Sequence, residues 1–333
     1  MIILGIETSC DETATAVLTN EDNRITILSN VVASSASLQA KYGGIIPEQA
    51  AREQIKSIIP VIETAINESR ITINYIDAIA VTYGPGLIGS LLVGVETAKT
   101  LATVWKKPLI PVNHLIGHFY ANWITTPPNF PCLGLLVSGG HTDLVLFTAH
   151  GKYKYLGGTR DDAAGECFDK CARLLSLSYP GGPEISKLAQ KGDPSKFKLP
   201  IPMKGSKDFD FSYSGLKTAV ARIVNNEQFT VNSRSDLAAS IEDTIVQSLV
   251  DKVIQALKAY PVKDVMVAGG VAANQTLVNR LQTTVNTLQS NIKLHVPPPE
   301  LCTDNGAMIA AAGFFQKPIS DPLALQANPN LSL

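Results

Sequence analysis

The sequence predicts an α/β protein built from two lobes of related architecture. Strand-like and helix-like segments alternate along the chain of 333 residues, which is the pattern of sheets covered by helices. Several predicted strands end in short glycine-rich turns. One layout, a buried strand followed by small polar residues and a returning strand, occurs twice, in GIETSCDETATAV and in LLVSGGHTDLVL. A layout that appears twice indicates two units with the same plan.

The first lobe is expected over residues 1–110. It begins with the strand IILGIET, the return strand TATAVLT and the β-rich segment ITILSNVVAS. A long amphipathic helix is predicted from about Pro47 to Arg70. The strand AIAVTYG then ends in a glycine-proline turn, and a helix rich in small residues follows from about Leu87 to Trp105. A short strand is expected near residues 109–112.

The second lobe is expected over residues 111–304, with the C-terminal helical segment 305–325 packing back on the first lobe. It contains the short HLIGH helix, the second hairpin, a helix in DDAAGECFDKCARLL and the turn YPGGPE. A long helix is predicted from about Arg234 to Ala259. The strand VMVAGG then runs into a helix near Ala272–Asn274. Backbone amides at such a helix start are available to an anionic ligand.

Composition excludes several classes of protein. A hydrophobic content of 45% and a charged content of 17% describe a globular chain with an ample core rather than a disordered one. A formal net charge of −1 argues against nucleic-acid binding by overall charge alone. The five cysteines are odd in number and lack framework spacing, and no apolar run has the pattern of a signal peptide or a bilayer span. We therefore expect a cytoplasmic protein without a membrane association.

Two histidines and a distant acid predict a metal site. His114 and His118 are four residues apart in HLIGH, so on a helix they share one face, and Asp304 in CTDNG can add a carboxylate. This ligand set suits both Zn²⁺ and Fe²⁺. The alternative is that both histidines are half-buried helix residues without a metal. A zinc-protease site is excluded because Leu115 stands where the HExxH motif needs glutamate.

Glycine turns at Gly84, Ser138, Gly181 and Gly269 predict a ligand site. In α/β folds ligands collect at the carboxyl ends of strands, so these loops are expected to meet in one crevice. A single such turn is usually only a tight turn, and the prediction depends on the presence of four of them. The chain lacks a P-loop lysine motif, which excludes a P-loop mechanism.

Four acidic residues have two interpretations each. Glu7, Asp11 and Glu12 crowd the first hairpin, which favours a nearby cation but is also typical of solvated turn acids. Asp169 lies on a predicted helix, where it is either an acceptor for hydrogen bonds from ligand hydroxyls or the ion-pair partner of a neighbouring basic side chain.

Taken together, the motifs resemble one family. In order along nearly the whole chain stand IETSCDET, HLIGH, LLVSGGHT, DDAAGECFDK, YPGGP, DFSYSGLKTA, VAGGVAAN and CTDNGAMIA. With these motifs the sequence resembles the TsaD family of tRNA N6-adenosine threonylcarbamoyltransferases. The resemblance implies the two-lobed fold of actin, sugar kinases and Hsp70, with a nucleotide cleft between the lobes.

The resemblance also implies a reaction and its partners. The threonylcarbamoyl group passes from threonylcarbamoyl-AMP to N6 of the adenosine next to the tRNA anticodon, in tRNAs that read codons beginning with A, and AMP leaves. The implied partners are a TsaB-like paralogue that forms a heterodimer, a TsaE-like ATPase and a separate TsaC-type enzyme that supplies the adenylate.

Carried over position by position, the resemblance makes His114, His118 and Asp304 the ligands of one divalent metal, with Fe²⁺ as the first choice and Zn²⁺ as the alternative. It implies that the substrate binds at Leu136, Val137, Ser138, Gly139, Gly140, Asp169, Gly182 and Asn274. Two positions depart from the pattern that the resemblance implies, because many members carry an acid where this chain has Ile116 and some carry an Asp where it has Ser186. Neither departure removes a metal ligand.

Two other functions fit the same fold. An ATP-dependent small-molecule kinase is supported by the paired hairpins and opposed by the metal-ligand set, and it predicts a requirement for ATP and none for tRNA. A chaperone-like ATPase predicts nucleotide-driven lobe closure without a modified nucleoside. If tRNA binds, the candidates for phosphate contacts are local basic residues, namely Lys204, Lys207, Lys217 and Arg222. The sequence shows no obvious general base for the N6 amine.

Overall fold

The computed structural model describes residues 1–35, 39, 46–226, 229–288 and 291–333. Over these residues the chain forms two compact units, one of Met1–Pro127 with Glu300–Leu333 and one of Pro128–Pro299. Each unit contains a five-stranded mixed sheet with helices packed against it. The predicted α/β class is therefore confirmed.

The secondary-structure elements follow one another in alternation. The strands are β1 (Ile2–Glu7), β2 (Glu12–Glu21), β3 (Arg24–Ser34), β4 (Ala78–Gly84), β5 (Leu109–Asn113), β6 (Cys132–Val137), β7 (Thr142–Ala149), β8 (Lys152–Gly158), β9 (Asp264–Ala268) and β10 (Lys293–His295). The helices are α1 (Pro47–Ser69), α2 (Ile88–Trp105), α3 (His114–Tyr120), α4 (Asn122–Thr125), α5 (Ala164–Leu174), α6 (Gly181–Ala189), α7 (Ser214–Val224), α8 (Arg234–Ala259), α9 (Gln275–Leu288), α10 (Pro299–Cys302) and α11 (Gly306–Gly313).

Both sheets have the same topology. The strand order is β3-β2-β1-β4-β5 in the first sheet and β8-β7-β6-β9-β10 in the second. In each sheet the first three strands are antiparallel neighbours, and the last two run parallel to the first. The central strands β1, β6 and β9 are buried along almost their whole length, as is typical of mixed sheets covered by helices. The repeated strand order confirms the two related lobes that the sequence predicts.

The first sheet is covered on both faces. Leu4 and Ile6 of β1 share one buried cluster with residues of α1 and α2, so these two helices cover one face. Gly5 points to the other face, where a Cβ atom would lie 2.6 Å from the backbone nitrogen of Ala310 in α11. Only glycine lets a helix come this close to a strand. All eight residues of α11 are buried.

The boundary between the units differs from the predicted one. The first unit extends to Pro127 and takes up the chain again at Glu300, whereas the sequence predicted a boundary at residues 110 and 111. The reason is that α3 packs against α11, with Gly117 so close that a Cβ would lie 2.7 Å from the Cδ1 atom of Ile309. The HLIGH helix and the segment carrying Asp304 therefore belong to the first unit, not to the second.

The helices α1, α2 and α8 lie where the sequence predicts them. The helix predicted near Ala272–Asn274 begins instead at Gln275, because Gly270–Ala273 form a 3₁₀ turn. Asn274 caps this helix, since its Oδ1 atom accepts a hydrogen bond from the Leu277 amide at 2.8 Å. None of the helices in the described part of the chain is both long and apolar enough to cross a membrane.

Candidate metal centre and glycine loop

The two histidines are brought together by a short helix that begins directly after β5. The side chain of Asn113 caps α3 by accepting hydrogen bonds from the amides of Leu115 at 2.8 Å and Ile116 at 3.4 Å. His114 and His118 therefore lie one helical turn apart on the same face. Their ring centroids are 4.6 Å apart, with an angle of 76° between the ring planes.

Asp304 completes the cluster from the other end of the first unit. It lies just before α11, which Asn305 caps by accepting a hydrogen bond from the Met308 amide at 2.9 Å. The Oδ1 atom of Asp304 is 3.2 Å from Nε2 of His118 and 3.7 Å from Nε2 of His114. One ligand atom from each of the three residues lies within 4.8 Å of the others. The structure thus brings the predicted metal ligands together.

The chemistry of these three donors fits a divalent cation. His118 is 1% exposed, and within the described residues neither of its ring nitrogens has a hydrogen-bond partner of acceptable geometry, although Asp304 is close. A buried imidazole without such a partner is costly unless its lone pair binds something else. Two imidazole nitrogens and a carboxylate oxygen are the donor set that Fe²⁺ and Zn²⁺ accept.

Glu7 holds His114 in the orientation that a metal ligand needs. The Nδ1 atom of His114 is 3.1 Å from Glu7 Oε2 and 3.1 Å from Ser9 Oγ. If Nδ1–H donates to the carboxylate, the Nε2 lone pair is left facing Asp304. Glu7 also accepts hydrogen bonds from the Thr82 hydroxyl and the Ser9 amide, so this carboxylate is fixed at the end of β1. Glu7 is buried and is not a solvated turn acid.

The electrostatics of the centre favour positive charge. Burial lowers the pKa of His114, but the carboxylates of Glu7 and Asp304 outweigh it and raise the pKa to about 9. Burial also raises the pKa of Glu12 to about 9, with further contributions from Asp11 and Asp304. In both residues neighbouring carboxylates contribute to the rise in pKa, so this buried place holds an excess of carboxylates. A bound cation would relieve that excess.

In the second unit, one loop has the open form that a ligand site requires. Between β6 and β7, the Ser138 amide donates to the His141 carbonyl at 2.8 Å, and the His141 amide donates to Ser138 Oγ at 3.1 Å. Within the described residues, no atom lies within 4 Å of a Cβ built on Gly139 or Gly140. The side chains of the preceding β6 residues, Leu136 and Val137, are buried, so only their backbone can reach a ligand.

Two further glycines pack against this loop. A Cβ on Gly165, at the start of α5, would lie 2.5 Å from the Ser138 carbonyl oxygen. One on Gly269, whose φ is +88°, would lie 2.5 Å from the Val137 carbonyl oxygen. The predicted crevice is therefore partly formed, because the loops after β6 and β9 meet. The turn at Gly84 belongs to the first unit and packs against Asn328.

Asp169 supports the PGG turn. Its Oδ1 atom accepts a hydrogen bond from the Gly181 amide at 2.7 Å. Burial raises the pKa of Asp169, against the opposing effect of hydrogen bonds from the amides of Gly181 and Gly182. Of its two basic neighbours, Lys170 pairs with two other carboxylates, those of Asp162 and Glu166, whereas the charge of Arg173 lowers the pKa of Asp169.

A buried acid that sequence reasoning missed connects Ser186 with Asn274. Glu242 accepts hydrogen bonds from Ser186 Oγ at 2.6 Å and from Asn274 Nδ2 at 2.7 Å. The carboxylate thus reaches the Ser186 hydroxyl from α8. The signal in the sequence was weak. Glu242 occupies a helical position in register with the buried Ile245 and Leu249, where an acid is unusual.

Comparison with known proteins gives one family. A model of the TsaD family, described as tRNA N6-adenosine threonylcarbamoyltransferase, matches residues 26–311. The tRNA N6-adenosine threonylcarbamoyltransferase of Thermosipho africanus is 48% identical over 336 residues, covering 100% of both chains. That of Dehalococcoides mccartyi is 50% identical over 320 residues, covering 95% of this chain and 94% of the relative.

Solved structures are similar in fold at low sequence identity. HypF of T. kodakarensis has a TM-score of 0.63 at 15% identity, over 94% of this chain and 47% of that chain. Component A of the (R)-2-hydroxyglutaryl-CoA dehydratase of Acidaminococcus fermentans has a TM-score of 0.53 at 16% identity, over 94% of this chain and 98% of that chain. These likenesses concern the fold alone, and they confirm the predicted class of actin, sugar kinases and Hsp70.

Proposed function

The chain belongs to the TsaD family of tRNA N6-adenosine threonylcarbamoyltransferases, and we propose that its two units hold different parts of that reaction. The enzyme transfers the threonylcarbamoyl group from threonylcarbamoyl-AMP to N6 of the adenosine at position 37, 3′ of the anticodon, in tRNAs reading ANN codons, giving t6A. The N6 nitrogen attacks the carbamoyl carbon, and the bond from that carbon to the phosphate oxygen breaks. N6 loses a proton and AMP leaves.

The metal centre belongs to the threonylcarbamoyl end of the substrate in this proposal. His114, His118 and Asp304 hold one divalent ion, Fe²⁺ as the first choice and Zn²⁺ as the alternative. When bound, such an ion acts as a Lewis acid that polarises the carbamoyl carbonyl. Glu7 keeps the His114 ring oriented through its hydrogen bond to Nδ1. The single observation that carries the proposal is the convergence of three donors within 4.8 Å of one another.

The AMP moiety belongs to the second unit. The open turn of Gly139 and Gly140 holds the phosphate, because its exposed amides can donate to the phosphate oxygens, and Leu136, Val137 and Ser138 position that turn at the end of β6. Asp169, Gly182 and Asn274 complete this site around the sugar and base. Support comes from the open space at the turn and from the hydrogen bond that ties Asp169 to the PGG turn.

Partners follow from the family and from one exposed surface. Ile55, Ile59, Ile88 and Leu92 are between 44% and 65% exposed, on the packed pair of helices α1 and α2. We propose this surface for the TsaB-like paralogue, since contiguous exposed apolar side chains mark interaction sites. Gly94 of α2 is not part of this surface, because it packs inside the unit against Thr8. The other proposed partners are a TsaE-like ATPase and a TsaC-type enzyme that supplies the adenylate. The proposed location of the reaction is the cytoplasm.

The test is a reconstitution with the partner proteins, threonine, bicarbonate, ATP and unmodified tRNA, followed by mass spectrometry of the nucleosides. Modified adenosine is expected only when this chain is present, and the Asp304→Asn variant is expected to form almost none. Asp321→Asn is the matched control, because Asp321 is exposed and caps only a short turn. Absence of the modified nucleoside beside ATP-dependent phosphorylation of a small molecule would favour the kinase alternative. Full activity of Asp304→Asn would contradict the metal assignment.

A further inference from the structure

Glu242 is a buried carboxylate that the proposed mechanism does not use. It lies in α8, is 7% exposed and receives three hydrogen bonds from neutral groups. Ser186 Oγ and Asn274 Nδ2 donate to Oε1 at 2.6 and 2.7 Å, and Thr276 Oγ1 donates to Oε2 at 3.0 Å. These donors come from α6, from the cap of α9 and from α9 itself, so three elements converge on one carboxylate.

Within the described part of the chain, no lysine, arginine or histidine forms an ion pair with Glu242. Arg280, which lies in α9 like Thr276, pairs with Asp243, the residue next to Glu242, at 2.5 Å. A buried carboxylate is normally paired with a cation or compensated by hydrogen bonds. Here only hydroxyl and amide groups compensate the charge of Glu242. Such a carboxylate is suited to accept a further hydrogen bond from a neutral donor rather than to pair with a cation.

In this cluster it is Glu242 that can still accept a hydrogen bond from a ligand. Asn274 uses its Oδ1 atom for the Leu277 amide and its two Nδ2 hydrogens for Glu242 and Ser186, the latter at 3.0 Å. Its amide donors are therefore already engaged. A carboxylate offers about four lone-pair sites, and three are occupied. Ser186, Asn274 and Thr276 are only half-buried, so the rim of the cluster is accessible to a ligand.

We propose that Glu242 accepts a hydrogen bond from a ribose hydroxyl of the AMP moiety and thereby determines specificity for a ribonucleotide. Hydrogen bonds from hydroxyls to a carboxylate are stronger than those to a neutral acceptor, and acidic residues bind ribose hydroxyls in this way in other nucleotide sites. Ser186 and Thr276 are positioning residues, since they fix the carboxylate by donating to it. This inference rests on the proposed nucleotide site of the second unit.

The test compares binding of AMP, 2′-deoxy-AMP and 3′-deoxy-AMP by calorimetry to the full-length wild type and the Glu242→Gln variant. Wild type is expected to bind AMP about tenfold more tightly than at least one deoxy analogue. Glu242→Gln is expected to lose that preference and to bind AMP about as weakly as the analogue. Asp251→Asn on the same helix, where Asp251 accepts a hydrogen bond from Gln247, is the matched control and should keep it.

Several outcomes would overturn the inference. Equal affinity of the wild type for AMP and both deoxy analogues would do so. A Glu242→Gln variant that binds all three ligands more weakly by the same factor would also do so, because that result indicates a merely structural role. Thermal unfolding checks that each variant folds. If Glu242→Gln does not fold, Glu242→Asp tests whether the carboxylate contacts the ribose, because this variant keeps the charge but moves the oxygens back by the length of one methylene. Wild type that binds no AMP at all would overturn the proposed nucleotide site together with this inference, a result distinct from the loss of preference alone.

Discussion

The two units share one strand order but differ in the loop that follows their first strand. After β1 the loop is packed and acidic, with Glu7 buried and with burial and the neighbouring Asp11 raising the pKa of Glu12. After β6 the loop is open, and its two glycines face no described atom within 4 Å. In our proposal the first unit binds a cation and the second unit binds a phosphate, although both have the same strand order. The ligand that each unit binds therefore depends on side chains and loops placed around the sheet, not on the strand order.

The sharpest way to break this contrast is to remove a metal ligand. In His118→Asn the purified chain is expected to keep almost no metal after dialysis and to lose more than about 100-fold in transfer activity, since losing a partner of a ligand alone costs 10 to 100-fold. The measurements are metal analysis and quantification of the modified nucleoside. His150→Asn is the control, because His150 is exposed on the second unit. A His118→Asn chain with its full metal content would refute the assignment.

A smaller effect is expected when the support of a ligand is removed. Glu7→Gln keeps the shape of the side chain but turns a charged acceptor for His114 Nδ1 into a neutral one. Metal affinity should fall about 10 to 100-fold, measured by competition with a chelator. Glu21→Gln, at the far end of β2, should leave affinity unchanged. Equal affinity in the Glu7 variant and wild type would show that the carboxylate does not orient the ring.

The glycine loop is tested by adding one methyl group. Gly139→Ala meets open space, so we expect an unchanged unfolding temperature but about tenfold weaker binding of AMP, where the methyl stands in the way of the phosphate. Gly165→Ala is the contrasting variant. Its Cβ would lie 2.5 Å from the Ser138 carbonyl, and it should lower the free energy of unfolding by about 1 to 3 kcal/mol. If Gly139→Ala binds AMP like wild type, the phosphate lies elsewhere.

The smallest expected effect concerns a buried acid in the second hairpin. Burial raises the pKa of Asp143 to about 6, against the opposing hydrogen bond from Tyr155. The folded chain therefore holds a proton that the unfolded chain releases above its lower pKa of about 4. The associated stability is present below pH 4 and is lost as the pH rises to about 6.

Asp143→Asn should remove this pH dependence and raise the free energy of unfolding at pH 8 by about 1 kcal/mol, a value reduced for relaxation and water entry. Chemical denaturation of both proteins at pH 4 and pH 8 measures it. Asp22→Asn, in the exposed turn between β2 and β3, is the control. A parallel pH profile of variant and wild type would place the titration on another group.

Much of the fold could be predicted because it depends on local periodicity. The amphipathic pattern gave α1, and the alternation of strand and glycine turn gave both hairpins. The His114–His118 spacing is likewise local, since helix geometry alone puts the two rings on one face. Asp304 was proposed as the carboxylate partner from the CTDNG segment, although no local spacing links a residue so far along the chain to the HLIGH helix.

What escaped prediction depends on contacts between distant segments. The unit boundary was wrong because α3 packs against α11, a contact that no sequence period records. The role of Glu7 depends on His114, at the start of α3, and on Thr82 in β4. Glu242 was missed because its three donors come from two other helices and a helix cap. In each case the residue type was visible and its neighbours were not.

The first unit is made of two pieces of chain, Met1–Pro127 and Glu300–Leu333. During synthesis the strand residues that receive α11, among them Gly5, leave the ribosome long before that helix exists. The part of the first sheet that α11 covers is without this helix while the second unit is made. During that time His114 and His118 are also without the Asp304 carboxylate. A chain that stops short of Asp304 has no third metal ligand. The cluster of His114, His118 and Asp304 is therefore complete only after the chain has been made past Asp304.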